Sequence, residues 1–109
     1  MIGAADVDRV VQRVVAGCDP DRIDVFGSYA KGTAHAGSDL DLLVIGPSED
    51  PPWLRGRDLH GALRMVGVRL DLLFVTPQEL ASGLAQSTSF LGRILASART
   101  VYRRPGGAA

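Results

Sequence analysis

The chain has 109 residues and a mass of 11.5 kDa, the size of one small domain, which excludes a large multi-domain enzyme. Apolar residues make up 46%, enough to pack a core and too many for a disordered chain. Twelve basic residues balance twelve acidic ones, which argues against a polycation that coats nucleic acid or a membrane surface.

The single cysteine, Cys18, cannot form an internal disulfide, so the natural setting is a reducing cytoplasm. Apolar runs such as Leu72-Leu73-Phe74-Val75 fall far short of the ~20 residues that span a bilayer. The first residues also lack the basic-then-apolar layout of a signal peptide.

In chain order, Val7, Val10, Val11, Val14 and Val15 follow the spacing of an amphipathic helix, with Gly17 as its expected C-cap. Ile23-Asp24-Val25-Phe26 reads as a short strand that stops at Gly27. One helical turn follows over Ser28 to Lys31. Gly32 to Ser38 is a loop by composition. A second strand is expected from Asp39 to Ile45. Pro52 to about Val66 reads as a helix with Leu59, Leu63 and Val66 on its core face, and Arg69 to Val75 as a third strand.

Thr76-Pro77-Gln78-Glu79 carries the signature of a capped helix start. The helix runs to about Ala98, with a break near Gly83 or Ser87–Ser89. Thr100-Val101-Tyr102 reads as a short edge strand, followed by a frayed tail over 105–109. Strand, helix, strand in the middle of the chain makes a βαβ unit, whose strands run parallel by default. The expected fold class is therefore α/β (α+β): a small mixed β-sheet with packed helices, occupying residues 1–104.

Chemistry concentrates at two places. In Asp39-Leu40-Asp41 the acids are two residues apart, so on a strand both carboxylates project from one face. Asp71 stands near the start of the third strand. If strands two and three are parallel neighbours, Asp71 joins Asp39 and Asp41. Close carboxylates repel and raise each other's pKa unless a cation lies between them. An all-oxygen set suits Mg²⁺ or Mn²⁺. The plainer reading is a group of strand-edge acids facing water or salt-bridged to Arg.

The second place is Gly27-Ser28-Tyr29-Ala30-Lys31-Gly32, directly after the first strand. A glycine there lets a phosphate approach the backbone. Ser28 offers a hydroxyl and an N–H, and Lys31, the only lysine, offers a positive charge. Gly27 and Gly32 have the gap of a Walker A loop, but Thr33 follows where Lys-Ser/Thr is required. Among the other residues, Tyr29 reads as packing beside the loop and His35 as solvent-exposed. Arg99, Arg103 and Arg104 read as a solvated basic edge.

Gly27-Ser28, ten intervening residues, Asp39-x-Asp41 and a later strand-borne Asp71 together resemble the DNA-polymerase-β-like nucleotidyltransferase superfamily. Within it, the short chain is similar to the minimal nucleotidyltransferase (MNT) domains, over residues 5–102. Haloacid-dehalogenase-type phosphatases also carry Asp-x-Asp. There the apolar strand precedes the acids, whereas here the apolar run follows them and Leu43 fills the place of a Thr or Val.

The resemblance implies the nucleotidyltransferase fold and a role for each residue. Gly27 and Ser28 would hold the triphosphate of ATP, with Lys31 where an Arg is common. Asp39 and Asp41 would bind two Mg²⁺ ions. Asp71 would bind the catalytic metal and help to deprotonate the acceptor hydroxyl. It also implies an antitoxin role beside a HEPN-type ribonuclease toxin, with AMP transferred to that partner, or else a non-catalytic antitoxin that works by occlusion. The chain has no room for a separate acceptor domain, so a protein partner fits best, and neither free nucleic acid nor a membrane is expected.

Overall fold

A computed structural model describes residues 3–35, 38–50, 69–84 and 90–105. The elements are α1 (Ala4–Cys18), β1 (Arg22–Phe26), α2 (Ser28–Lys31), β2 (Leu40–Ile45), β3 (Leu70–Val75), α3 (Pro77–Leu84), α4 (Phe90–Ser97) and β4 (Arg99–Arg103). The helix expected over 52–66, with Trp53, lies outside the described residues. So does the tail expected over 105–109, apart from Pro105.

The four strands form one mixed sheet in the order β3-β2-β1-β4. β1 pairs antiparallel with both β2 and β4, and β2 pairs parallel with β3 as the βαβ reading requires. Position 101 is a bulge: Ile23 faces Tyr102, while its neighbour Asp24 faces Thr100.

The sheet is packed on both faces, which explains the near-continuous apolar run of its central strand. On one face Leu40, Leu42, Val44, Ile23 and Val25 meet the valine stripe of α1. Val10 and Val14 of that stripe are fully buried. On the other face Leu43, Ile45 and Val75 meet Ile94 of α4, with Leu80 of α3 packed beside them. Each fully buried Leu or Val contributes about 1.5–3 kcal/mol, so β2 anchors both layers. Asp41 is the only β2 residue that is not buried.

Helix ends follow local chemistry. The Thr76 N–H donates to Glu79 Oε1 at 2.8 Å, and the Glu79 N–H donates back to Thr76 Oγ1 at 3.2 Å, closing the expected capping box. The end of α1 differs from expectation. Gly17 stays inside the helix, and Asp19 is the cap, left-handed at φ 46°, with its N–H on the Val15 carbonyl. Asp tolerates that conformation better than most residues, and Pro20 follows, which cannot continue a helix.

Candidate active site at the acidic end of the sheet

The parallel register pairs Asp41 with Asp71 directly, and the antiparallel register pairs Asp41 with Phe26. Residues opposite one another share a sheet face, so both carboxylates project on the α3/α4 side, near the N-terminal ends of β2 and β3. The expected meeting of Asp41 and Asp71 is therefore found. Burial, then the Asp71 charge, then the Asp39 charge push the Asp41 carboxyl above its ordinary pKa. Among the described residues neither the Asp41 nor the Asp71 carboxylate has a hydrogen-bond or ion-pair partner.

Asp39 stands one residue before β2 rather than in it. Its Oδ1 lies 3.1 Å from Arg69 Nε in an ion pair, so the salt-bridged half of the plainer reading holds for this acid, and Asp71, exposed on the edge strand β3, meets the water-facing half. Among the described residues, no three His, Cys, Asp or Glu side chains are grouped tightly enough to hold a metal ion. The sequence reading did not single out Arg69. The signal was available, because a parallel register that aligns positions 41 and 71 also aligns 39 and 69.

Gly27 closes the other side of Asp41. Its φ of 71° and ψ of −148° lie in a region that is essentially reserved for glycine. A Cβ built there would fall 2.2 Å from Asp41 Oδ2, so the missing side chain is what lets this carboxylate sit against the turn. Ser28 and Lys31 begin and end α2, which packs against β1 and β2. Lys31 is exposed and Ser28 half-buried. Gly32 caps the turn at φ 73°, with its N–H on the Ser28 carbonyl. Tyr29 packs against the α1-side core, and His35 is exposed, as expected.

The basic cluster divides. Arg104 is pinned at the opposite end of the sheet by Asp19 and Asp21, each at 3.3 Å, while Arg99 and Arg103 are exposed on β4. Cys18 is a free thiol, raised above its ordinary pKa by burial and by Asp19. It donates to the Val14 carbonyl at 3.3 Å and lies away from the acids.

A Gly-Ser turn set against an Asp-x-Asp strand, with a third acid on the parallel neighbour, is the arrangement that the resemblance to nucleotidyltransferases leads one to expect. The chain matches the nucleotidyltransferase domain family over residues 7–95 and belongs to it. A curated relative, protein adenylyltransferase MntA of Thermococcus cleftensis, is 41% identical over 66 residues. That match covers 60% of this chain and 64% of the relative, so just under two thirds of the relative's length is spanned.

Solved structures share the fold. A Sulfolobus solfataricus protein assigned as a nucleotidyltransferase superimposes with a TM-score of 0.63 at 19% identity, covering 94% of this chain and 82% of that one. A toxin–antitoxin structure with AMP-PNP gives 0.62 at 20% identity, covering 95% of this chain and 76% of that one. A mutant of the toxin–antitoxin MntA-HpeT gives 0.53 at 18% identity, with the same two coverages.

Proposed function

We propose that this chain transfers a nucleoside monophosphate, AMP from ATP, to a hydroxyl of a partner protein, and that it is the cytoplasmic antitoxin of a HEPN-type toxin. The observation that carries the chemistry is the side-by-side pair Asp41 and Asp71, with Gly27 closed against Asp41. The adenylyl donor and the toxin partner are supported by what the MntA relative and the toxin–antitoxin structure with AMP-PNP are described as. Residues 1–104 would form the transferase domain.

By its chemistry, though not by its spacing in the cation-free chain, the donor set suits a hard divalent cation. It is all oxygen, two members are adjacent by register, and Asp41 has its pKa raised by burial and then by the charges of Asp71 and Asp39. Asp39, Asp41 and Asp71 would hold Mg²⁺, which when bound would neutralise the carboxylates and stabilise charge on the phosphate under attack.

The chain's own residues would do the rest. Gly27 and Ser28 would seat the triphosphate beside β1, with Lys31 supplying a positive charge nearby. Asp71 would accept the proton of the acceptor hydroxyl as its oxygen bonds to the α-phosphorus. The α–β bridge then breaks, pyrophosphate leaves, and the nucleoside monophosphate remains on the acceptor.

The test is transfer of label from α-³²P-ATP to the protein encoded beside this one. Label is expected with wild type and Mg²⁺ and is lost in Asp39→Ala and in Asp41→Ala. Equal labelling by all three sinks this reading. The Arg69–Asp39 pair favours a second reading, a non-catalytic antitoxin acting by occlusion. In that case Asp39→Ala/Asp41→Ala rescues growth as fully as wild type.

A further inference from the structure

The ion pair at Asp39 is a contact at the acidic end of the sheet that the proposed chemistry leaves unused. It is not a chance meeting of two long side chains. The Leu40 N–H donates to the Arg69 carbonyl at 2.8 Å, and Leu40 pairs with Leu70. The first rung of the parallel ladder therefore sets residues 39 and 69 beside each other. From that position Arg69 Nε reaches Asp39 Oδ1 at 3.1 Å and covers an oxygen that a cation would use.

Both side chains are well exposed, Arg69 at 74% and Asp39 at 46%, so the pair is screened by water and easily displaced. Asp39, the acid with the guanidinium, stands next to two acids that have no cation among the described residues.

We infer that Arg69 is a resident counter-ion of Asp39 and competes with a divalent cation for that carboxylate, so that a cation must displace Arg69 to use it. The inference rests on the metal-binding reading above and adds a positioning residue to it. It also fixes the sign of a mutation. If Arg69 merely braced Asp39 for the cation, its removal would weaken binding; as a competitor, its removal strengthens binding.

The experiment is a titration of the full chain with Mn²⁺ alone, without nucleotide, following free Mn²⁺ by electron paramagnetic resonance. Arg69→Gln is expected to bind about two- to five-fold more tightly than wild type, the range open to an exposed ion pair. The same Arg69 change made in an Asp39→Asn background is expected to give a gain below about 1.5-fold, because the competed oxygen has lost its charge.

Unchanged or weaker binding in Arg69→Gln overturns the inference while leaving the metal reading intact. An equal gain in both backgrounds also overturns it, since a general field effect then suffices. Should folded wild type and Arg69→Gln both fail to take up Mn²⁺, the metal reading falls and the inference falls with it.

Discussion

Asp24 and Asp41 stand on the same face of the same sheet, on neighbouring strands and one side-chain row apart. Asp24 is 3% exposed, with Arg22 Nη2 on one carboxylate oxygen at 3.0 Å and Thr100 Oγ1 on the other at 2.8 Å. Asp41 is half-buried, and its neighbours Asp71 and Asp39 are acids. The first carboxylate is satisfied from within and ties β4 to β1 beside the bulge. The second is left electrostatically incomplete by the same scaffold. An acid given donors serves the fold, whereas an acid set among acids awaits a ligand.

The sharpest way to break this comparison is to remove each acid in turn. Asp24→Ala leaves the Arg22 guanidinium without its carboxylate and is expected to destabilise the chain by about 3 kcal/mol, read by urea denaturation. Gly27→Ala forces a side chain into a glycine-only conformation and against Asp41. A loss of about 1–3 kcal/mol from the backbone alone is expected in the same assay, with loss of AMP transfer.

Asp41→Asn should move stability the other way. Relief of a like-charge cross-strand pair is worth roughly 0.2–1 kcal/mol, so the cation-free variant should melt higher than wild type while losing AMP transfer. A lower melting temperature would place Asp41 among the structural acids.

The smallest expected effect is on pH dependence. The folded chain holds the Asp41 proton more tightly than the unfolded chain does. Its stabilising contribution is therefore fully present below the ordinary carboxylate pKa and is lost as pH rises through the folded value. Without a cation, stability of wild type relative to Asp41→Asn should decline across that window, as followed by melting temperature. Saturating Mg²⁺ should flatten the decline.

Where local chemistry decides, the sequence was legible. The α1 stripe, the single turn over Ser28 to Lys31, the Thr76–Glu79 box and the first three strands all stand as read, each within a residue or so of its expected ends. The helix α3 runs through Gly83 to Leu84, so no break falls there, and the alternative break at Ser87–Ser89 lies outside the described residues.

What escaped needed two distant segments at once. The Thr100 hydroxyl makes Asp24 a structural acid only after β4 docks beside β1. Gly27 reads as a phosphate-approach glycine from its motif, yet its contact with Asp41 depends on strand pairing. The α1 cap was misplaced because composition favours Gly17, whereas the helix keeps that glycine and turns at Asp19. For the candidate site, the meeting of Asp41 and Asp71 was legible from type and spacing, while the Arg69 contact with Asp39 needed the parallel register.

The pairing of β2 with β3 carries one more consequence. β3 reads Leu70-Asp71-Leu72-Leu73-Phe74-Val75, apolar on both faces except at Asp71. A slip of one residue would exchange its two sets of hydrophobic side chains with little change in oiliness, but it would drive Asp71 toward the valines of α1. Asp71 is thus the alignment mark of the strand: the residue that completes the acidic pair is also the one that makes a misaligned sheet expensive. Chains that can bind at this site are thereby the chains whose strands have paired correctly.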